Sequence, residues 1–198
     1  MVKISICIPT VIPNSERLSK CINSLIKNKS GFNEIEFCIE MNDYEGFEKP
    51  LNRSMKRATG DYILVCNDDV IATEPYWDIW MIEGFKNKTL METEIGMVSG
   101  IGYEWKDLPS YWFVMMKKSV YDLVGGLDEN FFVFSSDHDH AMRIKQAGFK
   151  INHKGVCPGI HHQMCSTTRS EKFREKIGDE QKLIERNKKL FESKWGFR

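Results

Sequence analysis

The chain has 198 residues, 41% of them hydrophobic, and its 28 basic and 28 acidic side chains leave no formal net charge. That balance excludes a nucleic-acid coat and a polybasic membrane patch, which both need a basic excess. The length suits one domain with a substantial core, and no apolar run approaches the roughly 20 residues of a membrane span.

Met1 to Ser5 lead directly into a strand pattern without the apolar core of a signal peptide, so a cytoplasmic protein is expected, with peripheral membrane association compatible. The cysteines are Cys7, Cys21, Cys38, Cys66, Cys157 and Cys165. No CxxC pair occurs and three of them lie in apolar runs, which predicts reduced thiols and no disulfide framework.

The first apolar run, Ile4 to Pro9, reads as a strand closed by Pro-Thr. Asn14 and Ser15 offer caps for a helix whose apolar positions Leu18, Cys21, Ile22, Leu25 and Ile26 recur at helical spacing, with Gly31 as its stop. Glu34 to Met41 reads as a second strand, ending in Glu40, Asn42 and Asp43. A helix over Phe47 to Ala58 precedes a third strand, 62–66. This alternation predicts a parallel sheet with helices on both faces.

The third strand runs into Asn67-Asp68-Asp69. Charges are rarely left within a buried strand, so these carboxylates belong just past its C-terminal end, where open α/β sheets bind ligands. Two acids and an amide there form an oxygen site suited to Mg²⁺ or Mn²⁺. A plain polar turn is the competing reading, since Asn and Asp are turn formers.

Further along, Tyr76, Trp77, Trp80 and Phe85 enrich a helix over 76–87. Core packing is favoured for them over a membrane or partner surface, because an interfacial helix would carry more Lys and Arg. Strands are expected over 95–101 and 111–116, then a turn at Gly125 to Glu129 and a helix to Ala147. Phe149 to Ile151 starts another strand, and Val156 to His162 ends in two histidines. The charged tail from Glu171 to Trp195 reads as an amphipathic helix broken near Gly178.

With Ser136 as N-cap, Asp139 falls at the capping-box position, which gives it a structural task. Asp137 has none there, and a helix start favours its negative charge. Asp137 is therefore the candidate general base. Cys157 to Cys165, with His161 and His162 between, lacks the spacing of structural zinc sites. One histidine completing the carboxylate metal site is the better reading, while His138, His140 and His153 are expected to face solvent. No GxGxxG, GxxxxGK[ST] or GxSxG is present, which turns the reading away from dinucleotide oxidoreductases, P-loop NTPases and α/β-hydrolases.

These residues together resemble the family 2 glycosyltransferases of the GT-A fold, over nearly the whole chain. Ile6-Cys7-Ile8-Pro9-Thr10 is similar to the family's opening strand and nucleotide loop, and Glu40 stands where its nucleobase-facing acid does. Asn52 and Arg53 match its Asn-containing helix, and Asn67-Asp68-Asp69 its DxD position. Gly125-Gly126-Leu127-Asp128-Glu129-Asn130-Phe131-Phe132, followed by Asp137, Asp139 and Arg143, matches its acceptor-side pattern, with Ser136 in place of the usual acid.

The resemblance implies one GT-A domain over 1–198: a nucleotide-sugar half to about 100, an acceptor half over about 101–165, and a C-terminal helix over about 168–198. It implies Pro9, Thr10, Glu40, Asn52, Arg53, Asn67 and Asp68 against the donor, Asp69 and His161 on Mn²⁺ or Mg²⁺ with His162 as the fallback ligand, and Asp137 as catalytic base. The donor would be a UDP-, GDP- or dTDP-linked sugar and the acceptor a carbohydrate or glycoconjugate hydroxyl, attacked with inversion. A homodimer is compatible with it. The alternatives are a nucleotidyltransferase, and a carbohydrate- or nucleotide-binding protein of this fold without turnover.

Overall fold

The computed structural model describes residues 1–86, 93–101, 104–105, 107–163 and 171–196. The chain begins with β1 (Lys3–Thr10), α1 (Glu16–Asn28), β2 (Glu34–Met41), α2 (Glu48–Lys56) and β3 (Tyr62–Cys66). β4 (Val70–Ala72), α3 (Trp77–Glu83), β5 (Ile95–Ser99), β6 (Glu104–Trp105), β7 (Leu108–Pro109) and β8 (Phe113–Lys117) follow. α4 (Lys118–Val124), α5 (Ser136–Gln146), β9 (Lys150–Asn152), β10 (Ile160–His162), α6 (Glu171–Ile177) and α7 (Glu180–Trp195) complete it.

Six strands form the central sheet in the order β2-β1-β3-β8-β5-β9. β1 pairs in parallel with β2 and β3, and β5 with β9. β8 runs antiparallel to both of its neighbours, a reversal the sequence reading did not separate from the parallel pattern. Because Phe113 pairs with Cys66, β8 begins where β3 ends. Tyr111 and Trp112 are thereby delivered to the edge that carries Asn67, Asp68 and Asp69.

Helices cover both faces, and successive strand residues point to opposite ones. Ile4, Ile6, Ile8 and Leu64 pack with Leu18, Cys21 and Leu25 of α1 and with Trp77 and Met81 of α3. Cys7, Ile63 and Val65 pack on the other side with Leu51 and Met55 of α2, Val120 of α4 and Ile144 of α5. Burial on both faces is why these strands read as continuous apolar runs. The five described cysteines are free and buried, as expected, and burial pushes the Cys157 thiol up to about 12. Cys165 lies outside the described residues.

Ser15 caps α1, its side chain accepting from Leu18 N at 3.1 Å. The expected aromatic core helix is corrected: Trp77 is fully buried, but Tyr76 and Trp80 remain 54% and 47% exposed. The capping expectation for α5 is corrected as well. Ser136 is already helical, and the N-cap is Ser135 in the left-handed region (φ 69°), with no side-chain cap bond. Asp139 therefore sits one residue too deep for a capping box, and its side chain turns elsewhere. The tail breaks at Gly178 (φ 65°), as the pattern predicts. No helix among the described residues is long and apolar enough to cross a membrane.

Candidate functional site

The edge past β1 and β3 collects most of the residues singled out above. Asp68 is 7% exposed, and its Oδ2 accepts from Thr10 Oγ1 at 2.7 Å and from Arg17 Nη2 at 2.9 Å. That carboxylate ties the end of β1 and the start of α1 to the turn after β3. Arg17 escaped the sequence reading, although a cation in the first turn of a helix opposes the helix dipole and thereby asks for an explanation.

Asp69 is 4% exposed and points the other way, with its Oδ1 3.0 Å from Nε2 of His162. β10 is antiparallel to β4, pairing His162 with Val70, and Gln163 N donates to the Asp69 carbonyl at 3.1 Å. The His162 ring stacks on Trp112 (centroids 4.2 Å, planes 24° apart), and its Nε2 lies 3.3 Å from Asn67 Nδ2. Asn67 N in turn donates to the Trp112 carbonyl at 3.0 Å. Asn67, Asp69, Trp112 and His162 thus form one packed unit.

His161, the histidine expected on the metal, is not the one brought to Asp69. Side chains alternate along a strand, so once His162 faces Asp69 its neighbour must face away. His161 is exposed and lines a separate groove with Tyr76 and Trp80.

Can the Asp69–His162 pair fit a divalent cation? Adjacent ligands of an octahedral ion at about 2.1 Å lie about 3.0 Å apart, which is the separation found. A buried carboxylate oxygen and an imidazole nitrogen suit Mn²⁺. Among the described residues no third His, Cys, Asp or Glu joins them. The remaining positions would fall to ligand oxygens and water, as is usual for ions that act on phosphates.

Asp137 stands in the first turn of α5, its Oδ1 accepting from His138 N at 2.8 Å. Burial pushes the Tyr111 hydroxyl well above its ordinary value, and the negative charge of Asp137 pushes it further. Tyr111 is bonded at 2.8 Å to Nδ1 of His140, whose Nε2 donates to Gly125 O at 2.8 Å. His140 is fully buried, not solvent-facing as expected; His138 and His153 are part-buried.

The segment before Asp137 is strained, with Val133 at φ 68° and Ser135 at φ 69°. A β-branched residue there needs outside support. Asn187 of α7, fully buried, donates to the carbonyls of Phe132 and Phe134 at 3.0 and 2.9 Å. Glu48 of α2 accepts from Val133 N at 3.2 Å, and burial raises its pKa. Neither support could be read beforehand, because both act across long stretches of chain.

Asp139 is fully buried and accepts from Arg143 Nε at 3.0 Å, Lys194 Nζ at 2.9 Å and Trp195 Nε1 at 2.9 Å. Arg143 also donates to Val124 O and Gly126 O at 2.8 and 2.6 Å. Asp139 is structural, as expected, but as an anchor between α5 and α7.

The remaining donor-side candidates are engaged within the protein. Pro9 pairs with Glu40 across β1 and β2. The Glu40 carboxylate meets Arg53 and Arg57, each at 2.9 Å. Arg53 also binds Glu45 at 2.5 Å, and these acids hold its pKa above the ordinary value. Asn52 bonds the backbone of Leu127 in both directions.

No family model matches the chain, and no curated protein matches it by sequence. Solved structures do match in fold. The catalytic domain of Drosophila beta1,4galactosyltransferase 7, in complex with xylobiose, is similar over 82% of this chain and 71% of its own (TM-score 0.59, 12% identity). The mannosyltransferase PcManGT from Pyrobaculum calidifontis, in complex with GDP-Man and Mn²⁺, is similar over 76% of this chain and 54% of its own (TM-score 0.59, 13% identity). S. aureus TarS 1-349, in complex with UDP, is similar over 75% of this chain and 56% of its own (TM-score 0.55, 15% identity). The chain thus spans little more than half the length of the last two. These likenesses establish the architecture: the chain has the mixed α/β fold, with a mostly parallel central sheet, of the GT-A glycosyltransferases.

Proposed function

We propose that the protein is a metal-dependent, inverting glycosyltransferase of family 2 type, which moves a sugar from a nucleoside-diphosphate donor to a hydroxyl of a carbohydrate or glycoconjugate. The observation that carries this reading is the buried Asp69–His162 pair at 3.0 Å, at the ligand-binding edge of the sheet. Structures of the same fold bind GDP-Man with Mn²⁺, UDP-Gal with manganese and UDP.

In this reading Asp69 and His162 hold Mn²⁺ or Mg²⁺ against the donor diphosphate. Bound there, the ion supplies charge neutralisation to the leaving nucleoside diphosphate. Asp68 positions the turn through Thr10 and Arg17. Trp112 stacks on His162 and so fixes the orientation of the ring that meets Asp69. Pro9, Thr10, Glu40, Arg53 and Asn67 border the donor, and Asn52 clamps the acceptor-side turn to α2. Asp137 takes the proton from the acceptor hydroxyl as it attacks the anomeric carbon, on a loop fixed by Asn187 and Glu48.

Incubation with UDP-, GDP- and dTDP-linked sugars, Mn²⁺ and a panel of saccharide acceptors tests the reading. Release of free nucleoside diphosphate with a product of inverted anomeric configuration is expected. Release of pyrophosphate from a nucleoside triphosphate supplied with a sugar 1-phosphate, without turnover of the nucleotide sugars, would indicate a nucleotidyltransferase instead. A D69N enzyme that retains wild-type turnover would overturn the assignment.

A further inference from the structure

On the other face of the β4–β10 ribbon lies an open groove of about 500 Å³, lined by Glu74, Pro75, Tyr76, Trp80, Pro158 and His161 among others. Tyr76 and Trp80 are four residues apart at the start of α3, joined by the bond from Trp80 N to Tyr76 O at 3.1 Å, and both line the groove. Both are about half exposed. Tyr76 holds a left-handed backbone (φ 68°), unfavourable for a bulky residue, with its N–H bound to Asn28 O at 2.6 Å.

The floor is equally fixed. Thr73 donates to Gly159 O from its backbone at 2.7 Å and from its hydroxyl at 3.1 Å. Gly159 has φ 71°, and a Cβ there would come within 2.3 Å of Glu74, so only glycine lets the two segments meet. Strain of this kind persists where surrounding structure maintains it, and it clusters at ligand sites.

We infer that this groove is a second saccharide-binding site, which holds sugar rings of a glycan away from the Asp69–His162 edge. Two flat exposed rings offer stacking for the apolar face of a pyranose, and Glu74 and His161 offer hydrogen bonds to its hydroxyls. The described lining holds one carboxylate and no lysine or arginine, which disfavours an anionic membrane. Its volume is that of a small-ligand site, and two aromatic side chains fall short of a protein interface. The groove shares β10 with the candidate transfer site: His162 faces one and His161 the other. A glycan held here would therefore be retained beside the site that extends it. The choice of a glycan as ligand rests on the transferase reading, but binding in the groove does not require transfer.

Fluorotryptophan-labelled protein separates the two sites by ¹⁹F NMR, with the Trp80 and Trp112 resonances assigned from W80F and W112F. The probes are cellohexaose, chitohexaose and maltohexaose at millimolar concentration, and UDP or GDP with Mn²⁺. At least one hexasaccharide is expected to shift the Trp80 line saturably and leave Trp112 in place, and nucleotide with Mn²⁺ to shift Trp112 alone. Y76A should weaken the saccharide effect roughly three- to tenfold. A Trp80 line unmoved by all three saccharides overturns the groove proposal, as does one that responds only to phosphatidylglycerol vesicles or keeps its affinity in Y76A. A responsive Trp80 beside a Trp112 silent to nucleotide would instead overturn the transferase reading.

Discussion

The side-chain amide of Asn52 pairs with the backbone of Leu127 as one strand pairs with another: Nδ2 donates to Leu127 O at 2.9 Å, and Leu127 N donates to Oδ1 at 2.7 Å. Gly126 makes this approach feasible, since a Cβ there would lie 2.3 Å from Asn52 Oδ1. Gly126→Ala is therefore expected to lower the unfolding free energy by about 1–3 kcal/mol, read from urea midpoints. Asn52→Ala leaves two backbone groups unsatisfied and should cost a similar amount, about 1–3 kcal/mol. Their effects should not add, because the clash partner is already gone in the double variant. Full additivity would contradict this account of the turn.

Asp137→Asn keeps the oxygen that accepts from His138 N and so should melt like the wild type. Turnover should nevertheless fall by about 10²–10⁴, with nucleotide affinity unchanged. A variant that transfers sugar at the wild-type rate would remove Asp137 from the chemistry.

His140 predicts the acid limb of the stability profile. Burial lowers its pKa from the ordinary 6.5 to about 4, and the nearby Arg143 adds to this. As pH falls the unfolded chain takes up the proton first, so the native state loses ground between about 6.5 and about 4. The contribution is complete above pH 6.5 and amounts to about 3 kcal/mol over that window. Melting temperature against pH should therefore have a shallower slope between these values in His140→Gln. An equal slope would show that His140 titrates normally.

The strands β1, β2 and β3 and the carboxylates past β3 were legible because strands buried on both faces read as apolar runs that stop at charges. Asp137 was singled out by a capping argument whose premise the fold does not keep, since the helix starts one residue earlier than that argument placed it. The choice between His161 and His162 was not legible. It depends on the register of β10 against β4, a three-residue strand too short to show a pattern. The exposure of Tyr76 and Trp80 was hidden for a related reason: composition places aromatics in a helix but not on a face of it. Supports such as Asn187 and Glu48 come from contacts across long chain separations, which local pattern does not encode.

The most direct test of the central claim is thermal melting with UDP and with GDP, each with Mn²⁺ or with EDTA, on the wild type, D69N and H162A. At a ligand concentration about 100 times its dissociation constant, specific binding stabilises by roughly 2.7 kcal/mol. The account predicts a stabilising shift with at least one nucleotide that requires Mn²⁺ and disappears in both variants. A shift of equal size in EDTA, or one that survives in D69N, would contradict a metal-bridged diphosphate at Asp69 and His162, and so would no shift at all.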